Sequence, residues 1–163
     1  MARTDAIAAQ GGGLDEAVKR GKAFARIGAD MVWSEFPNTD MELARRFAAG
    51  VHEEFPDLPL YFNFSSNLDW RGASVGFDDI AALGYKAMHT SLAGMRATMM
   101  ATWDYAVDLK ARGAKAETDF QARLKAHPMG AFHEFAGFSK IKAMEEKYLP
   151  AEELRKYESA VGL

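Results

Sequence analysis

The segment LPLYFNFS, at residues 58–65, is apolar at nearly every position except its C-terminal end. An apolar run of this length is typical of a strand that is covered on both faces, as strands are in a parallel sheet. The chain then continues to Asn67, so this strand ends in the polar sequence Asn63-Phe64-Ser65-Ser66-Asn67. The first predicted element is therefore a buried strand with a polar end.

Three other segments end in the same way: residues 2–6, 30–35 and 85–92. The predicted strand ends lie near residues 5, 35, 65 and 91, about 26 to 30 residues apart, which is the length of a βα unit in a parallel sheet. Helices are predicted between the strands, at residues 14–27, from Thr39 or Asp40 to Pro56, at 78–83 and at 93–110. The fold class is therefore α/β, and the spacing is compatible both with a doubly wound sheet and with part of a (β/α)₈ barrel.

From Ala114 onward the pattern is wholly helical. Helices are predicted at residues 117–126, 138–148 and 151–158, with breaks at Pro128 and Pro150. We expect residues 1–113 to form the βα units and residues 114–163 to form a helical C-terminal extension of the same domain.

Composition excludes several function classes. The chain has 163 residues, 48% of them hydrophobic, which is enough for one packed domain. A net charge of −3 without a basic cluster argues against nucleic acid as a partner. The absence of cysteine excludes disulfides, thiolate nucleophiles and cysteine metal sites. No apolar run reaches the roughly 20 residues that a membrane span requires, so we expect a cytoplasmic protein with no membrane partner.

Polar side chains close all four predicted strands, at the edge where parallel α/β folds place their active sites. These residues are Arg3, Thr4 and Asp5; Trp33, Ser34 and Glu35; Asn63, Ser65 and Asn67; and His89, Thr90 and Ser91. One cation, one carboxylate and several neutral donors suit a small polycarboxylate, because arginine binds a carboxylate in a bidentate fork. Structural roles remain open: a solvated Arg3, a helix-capping Glu35, and turn positions for Asn63 and Ser65. No pair of histidines has metal-ligand spacing.

The strand-end sequences resemble a known family. Ala2-Arg3-Thr4-Asp5-Ala6, the stretch from Gly28 to Glu35, Asn63-Phe64-Ser65-Ser66-Asn67 with Trp70, and Thr90-Ser91-Leu92-Ala93-Gly94 are similar in order and spacing to the second half of isocitrate lyase. The resemblance runs from Ala2 to about Leu109. It implies a partial (β/α)₈ TIM barrel, with about four C-terminal βα units followed by C-terminal helices. The wider superfamily includes 2-methylisocitrate lyase and phosphoenolpyruvate mutase.

The resemblance also implies an activity and a set of site residues. Enzymes of the family are Mg²⁺-dependent carbon-carbon lyases that cleave isocitrate to succinate and glyoxylate in the glyoxylate cycle. Arg3 matches the residue that holds the glyoxylate-side carboxylate, and Glu35 matches a hydrogen-bonding acid beside the reacting centre. Asn63, Ser65 and Ser91 match residues that hold the succinate-side carboxylate, and Asn67 and Leu92 match further substrate-binding positions. Two of these depart from the family pattern, because Asn67 stands where Ser is expected and Ser91 stands where Thr is expected.

Part of the family's catalytic apparatus precedes the Arg-Thr-Asp strand. It comprises the acidic Mg²⁺ ligands and the cysteine of a Lys-Lys-Cys-Gly-His loop, and this sequence has no cysteine. We therefore expect a truncated chain that keeps the carboxylate-binding strand ends, has no Mg²⁺ ligands of its own, and has little or no lyase activity alone.

Two other functions remain open from the sequence. One is 2-methylisocitrate lyase or another superfamily member, which the pocket volume near Phe64 and Leu92 would distinguish. The other is a non-catalytic half-barrel that binds carboxylates or another protein. Four βα units leave two sheet edges unpaired, which predicts a homo-oligomer or a partner half-barrel. The resemblance adds a swapped C-terminal helix at residues 132–147.

Overall fold

Four short parallel strands form one sheet in the computed structural model, which describes residues 1–155. The strands are β1 Ala2–Thr4, β2 Val32–Ser34, β3 Leu60–Asn63 and β4 Tyr85–His89. They are shorter than predicted, because the ladder pairs only these residues with a neighbouring strand. The predicted strand residues beyond Asn63 and His89 lie in loops at the C-terminal edge of the sheet.

Helices follow the strands at the predicted places. They are α1 Leu14–Arg26, α2 Met41–His52, α3 Phe77–Ala82 and α4 Ala93–Arg112. Asp40 caps α2 by accepting a hydrogen bond from the Glu42 amide, which confirms one of the two predicted caps. Gly28 follows α1 at a φ of 90°, a left-handed conformation that ends the helix there. Among residues 1–155, no helix combines the length and the apolar character that crossing a bilayer requires.

The strand order distinguishes between the two α/β folds that the spacing left open. The strands lie in the order β1-β2-β3-β4, each parallel to the next along the chain. A doubly wound sheet reverses its strand order at a switch point, whereas a βα barrel adds each strand beside the previous one. The sheet therefore has the order of a partial βα barrel, which confirms the predicted fold class.

Within the first unit, helices α1 and α2 pack on one face of the sheet. Val32, Leu60 and Phe62 are fully buried on that face, where they pack in one cluster with α2 residues such as Phe47 and Val51. Side chains on the opposite face, such as Tyr61 and Asn63, are only half-buried. The expectation that β3 is covered on both faces is therefore wrong for the second face, which we call the open face.

The chain divides into two compact units, Met1–Met99 and a second unit from Met100 onward, and the boundary lies within α4. Beyond α4 the second unit contains α5 Ala114–Lys125, a 3-10 turn at Pro128–Ala131, α6 Phe132–Phe135, α7 Phe138–Tyr148 and α8 Ala151–Leu154. The predicted helical character is confirmed. The single helix implied at 132–147 is interrupted after α6 at Gly137, which has a φ of 82°. Residues 156–158 of the last predicted helix lie outside the described residues.

Candidate functional site

The ladder register aligns side chains of the open face in rows. Arg3 pairs with Trp33, Trp33 with Tyr61, and Tyr61 with Ala87. Side chains two residues apart on a strand point to the same face. The next row therefore contains Glu35, Asn63 and His89, and Asn63 is the ladder partner of His89.

Arg3 lies at the edge of this face between two carboxylates. Its Nε donates to Asp5 Oδ1 at 2.8 Å, and its Nη2 lies 3.6 Å from Glu35 Oε2. The guanidinium carbon stands 4.1 Å from the centre of the Trp33 ring. With 43% of the Arg3 side chain exposed, these ion pairs add little stability, but together with the ring they hold the guanidinium beside Glu35.

Glu35 and Asn63 form the centre of the site. Asn63 Nδ2 donates to Glu35 Oε1 at 2.8 Å, which links β3 to the residue that follows β2. This bond leaves Glu35 Oε2 and Asn63 Oδ1 as buried acceptors without a hydrogen bond. A carboxylate and an amide so placed can each accept one more hydrogen bond from a ligand.

Buried polar atoms without a hydrogen bond concentrate on the open face. In the described part of the chain, such side-chain atoms are Trp33 Nε1, Glu35 Oε2, Asn63 Oδ1 and His89 Nδ1. Most buried polar groups in folded proteins are hydrogen-bonded, and a functional role is one of the explanations for an exception. The clustering of these atoms in adjacent rows supports a ligand site at this edge of the sheet.

His89 is a site candidate that the sequence analysis left among the strand-end residues. Its ring stacks on Tyr61, with ring centres 5.3 Å apart, and meets Trp33 edge-on at 5.4 Å. The available signal was its position at the end of the fourth strand, two residues after Ala87 on the same face. The structure therefore adds an imidazole to the row of Glu35 and Asn63.

Three more candidate residues contact one another in the loops that follow β3 and β4. Ser91 Oγ lies 3.4 Å from Ser65 Oγ, and the Asn67 amide donates to Ser65 Oγ at 3.3 Å. Trp70 Nε1 donates to the Ser65 carbonyl at 2.8 Å and so fixes the loop after β3. Hydroxyl and amide groups from the ends of two neighbouring strands thus lie together in a cluster of Ser65, Asn67 and Ser91, which we call the neutral donor cluster.

Leu92 follows this cluster in a strained conformation. Its φ of 62° makes it the one non-glycine residue with a positive φ among residues 1–155, and 43% of it is exposed. A left-handed conformation costs a non-glycine residue on the order of 1–3 kcal/mol and is concentrated at functional sites. The Leu92 carbonyl accepts a hydrogen bond from the Arg96 backbone amide at 2.9 Å, which places the start of α4 beside the cluster.

Arg96 is a second guanidinium at the strand ends, and sequence reasoning missed it. Its Nη2 donates to Asn67 Oδ1 at 2.6 Å, and its Nη1 donates to the Ser66 carbonyl. The sequence does place Arg96 in the first turn of the helix that follows the fourth strand, and this position could have identified it. Nearby, Arg71 pairs with Asp69 instead, and its side-chain hydrogen bonds hold the pKa of the Asp69 carboxyl below the ordinary value.

The residues of the site do not fit a divalent cation. Within residues 1–155 no three histidine or acidic side chains come close enough to hold a metal ion. Glu35 faces the Arg3 guanidinium and is bonded to an amide donor, which disfavours a second cation at that carboxylate. The Mg²⁺ that the sequence resemblance implies therefore has no ligand set in the described part of this chain.

A separate cavity of about 810 Å³ lies in the second unit. Its lining includes Tyr105, Asp108, Phe120, Arg123 and His127. None of the predicted site residues is among those that line it. The strand ends therefore remain the candidate site, and this cavity provides an alternative that an experiment can distinguish.

Comparisons with a family model and with curated proteins both identify isocitrate lyases as similar to this chain. The sequence model of the isocitrate lyase family matches residues 3–129. Curated relatives include the isocitrate lyase of Haloferax volcanii, which is 34% identical over 164 residues, covering 99% of this chain and 47% of that protein. The isocitrate lyase of Corynebacterium efficiens is 35% identical over 82% of this chain and 31% of that protein. The isocitrate lyase of Escherichia coli K12 is 34% identical over 58% of this chain and 23% of that protein. The chain thus spans at most about half the length of these relatives.

Proposed function

This chain belongs to the isocitrate lyase family, and on that premise we propose that its strand ends bind the two products of isocitrate cleavage, glyoxylate and succinate. The observation that supports the proposal is the grouping of Arg3, Glu35 and Asn63 at the sheet edge that also holds the neutral donor cluster. A cation with nearby neutral donors is the combination that a small polycarboxylate requires.

In this proposal Arg3 binds the glyoxylate-side carboxylate. The guanidinium lies over Trp33, so its planar donors are oriented before a ligand arrives. Its pairs with Asp5 and Glu35 are partly exposed, and a ligand carboxylate can replace the Asp5 pair at little cost. Arg3 would then donate to the ligand in a bidentate arrangement.

Glu35 is the proposed acid beside the reacting centre. Asn63 occupies Oε1, so Oε2 remains to accept a hydrogen bond from a substrate hydroxyl. Asn63 thereby fixes the rotamer of the carboxylate, as a positioning residue does in general acid-base catalysis.

The neutral donor cluster is proposed to hold the succinate-side carboxylate, with Asn63 at its inner edge and Leu92 as an apolar wall. The Ser91 hydroxyl keeps the donor that a threonine at this position would supply, so this departure from the family pattern preserves binding. Asn67 likewise keeps a donor, since its amide has two N–H groups.

Cleavage of isocitrate needs more than carboxylate binding. It requires a base for the hydroxyl, a Lewis acid for the forming glyoxylate and an acid for the forming succinate. We propose that a polypeptide of these 163 residues binds both products but releases little or no glyoxylate from isocitrate. We propose a role in the glyoxylate cycle only for an assembly in which another polypeptide supplies the base, the Lewis acid and the acid.

A second candidate, a carboxylate-binding protein without catalysis, is favoured by the poor fit of residues 1–155 to a metal ion. Calorimetric titration of the pure chain with succinate and with glyoxylate, with and without Mg²⁺, tests the binding. A coupled assay of glyoxylate release from isocitrate tests the turnover.

We expect binding of both products without turnover. Appreciable glyoxylate release would contradict the proposed inactivity, and failure of either product to bind would contradict the proposed site. Binding that is unchanged when Mg²⁺ is withdrawn would favour the non-catalytic candidate.

We also propose that the chain associates with a second copy or with a partner half-barrel. β1 has only β2 as a neighbour and β4 has only β3, so the sheet of the described residues has two unpaired edges. Unpaired edges present free backbone donors and acceptors to another chain.

A further inference from the structure

Arg96 has no role in the function proposed above, yet it is held at the same sheet edge. Its guanidinium donates to the Ser66 carbonyl and to Asn67 Oδ1, both of which are neutral. Arg3, in contrast, has two carboxylates within reach, at 2.8 and 3.6 Å. Among residues 1–155, Arg96 makes no ion pair with an acidic side chain. Its positive charge is therefore uncompensated beside the neutral donor cluster.

The contact with Arg96 also orients the Asn67 side chain. Because Oδ1 accepts the guanidinium bond, the Nδ2 hydrogens of the amide remain available to a ligand. The Asn67 backbone amide is already committed to Ser65 Oγ, so the side-chain amide is the free donor of this residue. A serine at position 67 has a shorter side chain and one oxygen, and it cannot both reach Arg96 and present an N–H donor.

We propose that Arg96 is a specificity-determining residue that makes the site prefer dicarboxylates over monocarboxylates. It supplies the positive charge for the second carboxylate, the one that Ser65, Asn67 and Ser91 bind through neutral groups. Neutral donors leave the charge of a carboxylate uncompensated, whereas a guanidinium beside them supplies a charge of the opposite sign. The inference rests on the proposed function, since it takes succinate and glyoxylate as ligands of this site.

The competing interpretation is that Arg96 only ties the loop after β3 to α4. Both interpretations predict that loss of Arg96 weakens succinate more than glyoxylate, because the loop holds Ser65 and Asn67 of the succinate side, whereas Arg3 binds glyoxylate. A structural tie acts through hydrogen bonds to two neutral oxygens, which salt affects little. A charge that attracts the second carboxylate is screened by salt. The two interpretations therefore differ in how the loss of succinate affinity depends on salt.

The experiment compares the wild-type chain with Arg96→Gln and Arg96→Lys by calorimetric titration with succinate and with glyoxylate. We expect Arg96→Gln to weaken succinate binding about tenfold, the lower end for a hydrogen bond to a charged group, because Arg96 is exposed. Glyoxylate affinity should change less than about twofold. Arg96→Lys should recover part of the succinate affinity, since it restores the charge without the planar fork.

Arg71→Gln is the matched control. Arg71 lies near the same loop, is 91% exposed and pairs with Asp69, so its loss should leave both affinities unchanged. Raising the salt concentration should reduce the difference between wild type and Arg96→Gln, because salt screens exposed charges.

Three results in Arg96→Gln would overturn the inference: equal loss of both affinities, no loss of either, or a loss of succinate affinity that salt leaves unchanged. Binding of both products by the wild-type chain would still leave the proposed function in place. Failure of the wild-type chain to bind either product would overturn both. Arg96→Lys decides the matter if the Gln variant does not fold, because a charge role predicts that it keeps a preference for succinate.

Discussion

At the scale of single residues, His89 shows that a polar side chain on the open face lowers the stability of the fold. Its Nδ1 is buried without a hydrogen bond, although its ring packs against Tyr61 and Trp33. Leaving a polar group buried and unpaired costs about 1–3 kcal/mol, whereas an apolar group of the same shape avoids that cost. The strand ends therefore contain polar groups that do not stabilise the fold.

Replacing this imidazole with a ring of similar shape should stabilise the protein. His89→Phe keeps the contacts with both aromatic rings and removes the unpaired nitrogen, so we expect the free energy of unfolding to rise by about 1 kcal/mol. Urea denaturation followed by circular dichroism measures the change.

The matched control is His52→Phe, because His52 Nε2 is 3.0 Å from the Leu58 carbonyl and loses that bond on substitution. We expect His52→Phe to lower the free energy of unfolding. Equal destabilisation by both substitutions would show that His89 is satisfied in solution.

Some residues of the candidate site were predictable from the sequence, and others were not. Arg3, Glu35, Asn63, Ser65 and Ser91 close strands of a parallel sheet, and topology alone brings such positions together. The Asn63–Glu35 bond and the contact of Arg96 with Asn67 depend on side-chain conformations that only tertiary packing determines. The strain at Leu92 likewise has no signal in its residue type.

At the scale of elements, the turn from α3 into β4 depends on contact with α2. Gly84 has a φ of 95°, and a Cβ at this position would lie 2.3 Å from His52 Cε1. The His52 ring cannot move away without losing its bond to the Leu58 carbonyl. This glycine therefore meets two constraints at once, a left-handed backbone and a close approach.

Two alanine substitutions separate these constraints. Gly28 has a nearly equal φ of 90°, but a Cβ at that position would have no atom within 4 Å, so Gly28→Ala tests the backbone strain alone. We expect Gly28→Ala to cost about 1 kcal/mol of stability and Gly84→Ala at least about 1 kcal/mol more. Thermal and urea denaturation of the pair measure the difference, and equal costs would show that His52 moves freely.

Helix boundaries were predicted better than strand boundaries for a physical reason. Asp40 and Gly28 act through their own backbone and nearest neighbours, which are visible in the sequence. A strand ends where its neighbour stops pairing, so residues 64–65 and 90–92 leave the sheet despite their strand-like sequence. The four-residue helix α6 Phe132–Phe135 is too short to produce a periodic pattern.

At the scale of the whole molecule, the unpaired edges of the sheet predict self-association. β1 and β4 each lack one neighbour among the described residues, and the open face beside them is only half-buried. Size-exclusion chromatography with light scattering should give a mass above the 18.0 kDa of one chain, rising with concentration. A single species of one-chain mass at every concentration would contradict this prediction.

The central claim is that the C-terminal ends of the four strands bind the carboxylate ligand, and a ¹H–¹⁵N NMR titration with succinate tests it most directly. We predict saturable shifts at residues 63–67 and 89–96 and at Arg3 and Glu35. Shifts confined to the second unit, around Tyr105 and Phe120, or no shifts at millimolar succinate, would contradict it.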